Sequence, residues 1–124
     1  TILACAIERK ARYSVNRATS RHQLGLIETR RHKWYTARHH LLAAQALYKQ
    51  VQNQHEFVSA ENALAYVAVV QGDYERGIRE LTNTLRMAEK LPSSSARRRL
   101  IKTIQKDIAE AECGLQAQTA KGEQ

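Results

Sequence analysis

The sequence predicts an all-α domain built from antiparallel helix pairs. Ala, Leu, Arg, Gln and Glu dominate it, and these residue types hold helix well. One Pro and five Gly are too few turn formers for a sheet protein. Apolar residues recur at steps of three and four along most of the chain, the period of a helix face. At 124 residues the chain makes one domain, 1–117, with a workable core and a short tail.

Residues 2–14 form the first predicted helix, with Ile2, Leu3, Ala6 and Ala11 set between charges. The polar "NRATS" breaks it. Thr19 or Ser20 then caps a second helix by accepting backbone N–H bonds. That helix runs to about Arg31, with Leu24, Gly25 and Ile27 inward. After a turn at His32 and Lys33, a third covers Trp34 to Gln50, with Leu41, Leu42, Ala44 and Leu47 recurring. "VQNQHEF" is the next turn, or the opening of a helix that lasts to Val70. Gly72 ends that helix, and Asp73 caps Tyr74 to Leu91. In "LPSSS" the Pro stops the chain and a Ser caps the next helix, Ala96 to Leu115. Residues 118–124 read as a flexible tail. About six helices result, and helices joined this closely pack antiparallel.

The chain matches itself at an offset of 40 residues. Leu24 meets Leu64, Gly25 meets Ala65, Trp34 meets Tyr74, Ala37 meets Gly77, Leu41 meets Leu81 and Ala44 meets Thr84. A second step sets Leu64 on Ile104 and Ala68 on Ile108. Apolar matches come cheaply between amphipathic helices. The small residues carry more weight, because they fall where two helices approach closely. The repeated unit is a helical hairpin, about 18–51 and again about 58–91, flanked by helices at about 2–14 and 96–115.

In these residues the chain resembles the tetratricopeptide repeat. "QLGLIETRRHKWYTARHHLLAAQAL" carries Leu24, Gly25, Trp34, Ala37, Leu41 and Ala44 of its pattern. "NALAYVAVVQGDYERGIRELTNTL" carries Leu64, Ala65, Gly72, Asp73, Tyr74, Gly77, Leu81 and Thr84. The period departs from the family's usual length of about 34, as in the longer variants found in bacterial regulators. Arg21, Glu28, Glu61 and Ala68 stand where the family has aromatic residues, and Thr84 where it has Ala. The resemblance implies a right-handed superhelix whose first helices line a concave groove. Its lining is then His22, Leu26, Thr29 and Arg30 in one unit, Asn62, Tyr66, Val69 and Val70 in the next, and Lys102 and Lys106 in the last.

The expected function is binding, without catalysis. The five His share no metal spacing with the Cys residues, and no phosphate loop or HExxH is present, so neither metal nor cofactor is expected. Cys5 and Cys113 stand alone and read as reduced, buried thiols of a cytoplasmic protein. "TILACAI" is too short for a signal-peptide core or a membrane span. The start at Thr1 suggests a piece of a longer regulator. Residues 1–40 carry nine Lys and Arg against Glu8 and Glu28, which points to an acidic protein or peptide as partner. Basic groove ends and an apolar middle suit an extended or helical acidic peptide with a hydrophobic anchor. Two alternatives stand beside this. "ETRRHKWYTARHH" and "ARRRLIK" are dense enough in base for nucleic acid, with Trp34 and Tyr35 to stack on bases. A second copy filling the groove would make the domain a homodimerisation module.

Overall fold

The structure is a computed structural model that describes residues 1–123. Within them the chain is five helices and their turns: α1 (Ile2–Arg30), α2 (Trp34–Gln50), α3 (Gln54–Val70), α4 (Tyr74–Glu89) and α5 (Ser95–Glu123). Each packs mainly on the next in sequence, so the core is spread along a row of helices. Contacts between joined helices show the hairpins. Near the turn Gly25 faces Leu41 between α1 and α2, and far from the turn Gly114 faces Tyr74 between α4 and α5.

Five helices replace the expected six because "NRATS" does not break α1. It contains neither Pro nor Gly, and its central Ala18 is fully buried in a cluster with Ala44, Tyr48 and Ala60. Packing of that small residue overrides the weak helix preference of its polar neighbours. Thr19 does not cap a helix; it lies inside α1, beside Tyr48. The expected tail is also helical as far as described. α5 continues through Glu123, and Gln118 donates to the Gly72 carbonyl at 3.1 Å. Gln124 lies outside the described residues.

Three turns share one construction. At Arg31–Lys33, Val51–Asn53 and Gln71–Asp73 the middle residue has positive φ: 61° at His32, 59° at Gln52 and 89° at Gly72. In each, the third residue donates to the carbonyl five back: Lys33 to Glu28, Asn53 to Tyr48 and Asp73 to Ala68. The middle residue donates three back, to Thr29, Lys49 and Val69. This is the Schellman closure, which satisfies the last carbonyls of a helix. Only one of the three uses Gly. Asp73 makes no side-chain cap bond, contrary to expectation, whereas Asn53 Oδ1 accepts from Glu56 N at 3.1 Å. After α4, Ser94 Oγ accepts from Arg97 N at 3.0 Å, the cap expected of "LPSSS".

Burial follows the 40-residue register. Ala18 and Val58, Gly25 and Ala65, Thr29 and Val69, Ala37 and Gly77, Leu41 and Leu81, Ala44 and Thr84, and Tyr48 and Ala88 are all buried. The small members set the helix spacing. A Cβ on Gly25 would sit 2.4 Å from Leu41 Cγ, and one on Gly77 2.6 Å from Val69 Cγ2. Such gaps are far inside ordinary contact, so a larger side chain there forces the hairpin apart. Leu24 and Ile27 do not share this inner face, as expected of them, but lie on the exposed side of α1.

Candidate functional site

Two surfaces are candidate sites. One is the face of α1, α3 and α5 foreseen as a groove. On α1, Leu26 and Arg30 are exposed, while Thr29 is buried and donates its hydroxyl to the Gly25 carbonyl at 2.8 Å. His22 is half-buried, its ring edge-on to Tyr48 with centroids 6.1 Å apart. Burial lowers its pKa below the usual histidine value, against the attraction of Glu56. On α3, Val69 belongs to the core and Val70 is half-buried. Thr29 and Val69 are therefore packing residues, placed inward by the same hairpin register that hides Gly25 and Gly77.

The middle of this face is tied to α5. Tyr66 donates its hydroxyl to Glu110 Oε1 at 3.1 Å. Burial, and then the adjoining Glu110 carboxylate, push the Tyr66 phenol up to about 12. Asn62 is buried beside Asp107, and its Oδ1 has no partner. Burial raises the Asp107 pKa above the usual carboxylate value. The Asn62 side chain opposes that shift, Glu110 adds to it, and Lys106 opposes it. Lys102 and Lys106 stand exposed on α5. The face thus offers exposed Leu26, Arg30, Lys102 and Lys106 around two carboxylates that already have partners.

The second surface is a cleft of about 720 Å³ where the α2–α3 turn meets the end of α4. Tyr48, Phe57, Val58, Met87 and Leu91 wall it, with exposed Lys49 and Lys90 among its lining. A neighbouring hollow of about 540 Å³ shares Gln52, Asn53, Gln54 and Leu91 with it and adds His55, Pro92 and Ser94. Nothing in the linear pattern marks this cleft, because its walls come from three helices. The one hint is that Phe57 and Met87, the only Phe and Met, both lie near helix ends.

Cys5 and Cys113 are exposed rather than buried: Cys5 lies on the uncovered start of α1, and Cys113 on the outer side of α5. Trp34 is half-buried and stacks on His32 at 4.9 Å, while its neighbour Tyr35 is 88 % exposed. Among the described residues no group of three or more His, Cys, Asp or Glu side chains is placed to hold a metal ion. Nor is any described helix long and apolar enough to cross a membrane. Comparison with protein-family models, with curated proteins and with solved structures returns no match.

Proposed function

We propose that the chain is a non-catalytic domain that binds a protein or peptide segment, as its resemblance to tetratricopeptide repeats implies. The cleft between the α2–α3 turn and α4 carries this reading. Its volume and apolar walls suit one large side chain and its neighbours. Lys49 and Lys90 favour Asp or Glu beside that anchor. The ligand is then an acidic peptide with one apolar or aromatic anchor, acting inside a larger cytoplasmic regulator. The α1–α3–α5 face, with Tyr66 as its anchor, is the rival position for the same ligand.

Calorimetric titration of acidic 12-residue peptides, each carrying a single Leu, Phe or Trp, tests this. Met87→Glu and Lys49→Glu/Lys90→Glu are expected to weaken binding by about tenfold, and Tyr66→Ala to leave it unchanged. Loss on Tyr66→Ala alone moves the site to the α1–α3–α5 face, and no binding by any peptide rejects the reading. Nucleic-acid binding is a second reading, favoured by the bare ring of Tyr35 between Lys33 and Arg38. A steeply salt-dependent affinity for single-stranded RNA or DNA, lost in Tyr35→Ala, would put it first.

A further inference from the structure

α1 carries one seam along its whole length, and α2 covers only half of it. Leu3, Ile7, Ala11, Ser14, Ala18, His22, Gly25 and Thr29 follow one another at steps of three or four. Such residues share one side of a helix. From Ala18 to Thr29 that side is packed against α2. α1 has 29 residues to the 17 of α2. At about 1.5 Å per residue, α1 outreaches its neighbour by some three turns. On the outreaching part the same side lies open: Leu3 is 71 % and Ile7 61 % exposed, and Ala11 is exposed too.

We infer that the open half of this seam, Leu3 to Ser14, docks an amphipathic helix of another protein, laid end to end with α2. Two observations choose that occupant. The first is continuity: Ala11 and Ser14 are small, like Ala18 and Gly25 further along, so a second helix can approach as closely as α2 does. The second is charge. Residues 2–17 carry Arg9, Lys10, Arg12 and Arg17 against Glu8 alone. Lys10 and Arg17, seven residues apart, run along one edge of the seam, and Arg17 is steadied over the Tyr13 ring at 5.7 Å. The docking helix therefore carries Asp or Glu along the edge that meets Lys10 and Arg17, in the manner of coiled-coil edge positions. A second copy of this chain would bring a basic stretch against a basic stretch, so it is the disfavoured occupant. This surface is separate from the cleft, and its occupation does not depend on what the cleft binds.

The test is fluorescence anisotropy with a labelled 21-residue helical peptide, Leu at its core positions and Glu along one edge, and the same peptide with Lys for Glu. The Glu peptide should bind and the Lys peptide should not. Ile7→Asp and Lys10→Glu/Arg17→Glu should each weaken the Glu peptide by about tenfold or more. Met87→Glu should leave this binding intact. Because Ile7 lies largely exposed on the projecting half of α1, the melting temperature of Ile7→Asp should stay at the parent value. Equal binding of both peptides, or full binding by Ile7→Asp, overturns the inference. So does a concentration-dependent mass in light scattering that Ile7→Asp abolishes, which would make the occupant a second copy. Tighter binding to single-stranded RNA or to vesicles of anionic lipid, lost in Lys10→Glu/Arg17→Glu, also overturns it.

Discussion

His32 and Gln52 hold a backbone conformation that favours Gly, and Gly72 holds it in the equivalent turn. For a residue with a Cβ the left-handed region costs roughly 1–2 kcal/mol. Gln52→Gly should therefore stabilise the fold by about 0.5–1 kcal/mol in urea unfolding, the gain being trimmed by the freer unfolded chain. His32→Gly should gain less, because it also removes the ring stacked on Trp34. A loss of stability in Gln52→Gly would show that the αL turn is not the strained element it looks.

Asp107 offers a test with the opposite chemistry. Its folded pKa is raised from the usual 3.8, chiefly by burial. The folded state thus holds the proton more tightly than the unfolded one, and the ionised carboxylate works against folding above the raised value. As pH falls through that value the handicap disappears. Asp107→Asn removes the charge and brings an N–H donor to the unpartnered Oδ1 of Asn62. Its melting temperature should exceed the parent's at pH 7, with the difference shrinking as pH drops toward 3.8. His22 acts in the other direction: its folded pKa is lowered from 6.5, so its contribution is present above that pH and lost as pH falls. Both proteins share that loss, so it leaves their difference untouched.

At the scale of the element, α1 combines two unlike halves. The half from Ala18 onward is held by α2, and the half before it touches nothing of its own chain closely enough to be buried. Deleting residues 2–13 should reduce helical circular dichroism in proportion and leave the melting temperature within about 2 °C, since no core contact is lost. A drop well beyond that would mean the projecting half supports the hairpin. The join between the halves is also where the linear pattern misleads. Polar residues at Asn16, Thr19 and Ser20 look like a break and a cap, and only the burial of Ala18 shows why the helix runs on. The turns at Gly72 and Pro92 are legible because Gly accepts positive φ without steric cost and Pro cannot continue a helix. Those at His32 and Gln52 announce nothing of the kind, and only their place between two periodic stretches gives them away.

For the whole molecule, the helix-row architecture is legible because its period is written in paired small residues such as Gly25 with Ala65 and Ala37 with Gly77. The candidate site is much less so. A repeat register says which positions are equivalent, not which neighbour covers them. Thr29 and Val69 are equivalent, and both are buried rather than open to a ligand. The cleft gathers Tyr48, Phe57 and Met87 from separate helices, a meeting no local pattern encodes. The two carboxylates of α5 that engage Asn62 and Tyr66 are hidden in the same way, as unremarkable acids on an ordinary helix face.

The positive-φ residues at 32, 52 and 72 are evenly spaced, one per helix-and-turn. That regularity bears on how a gene for such a protein changes length. A stretch running from one turn to the turn after next begins and ends in the same backbone conformation and on the same side of the row. Residues 33–72, duplicated in tandem behind Gly72, rejoin the chain at Asp73 with every helix still alternating in direction and each small residue still opposite its close neighbour. Recombination at these points lengthens the row by whole hairpins and leaves its two ends, with the open seam on α1 and the long α5, as they were. A crossover one turn out of step would instead exchange the first helix of a hairpin for the second, and the buried glycines would face the wrong partners.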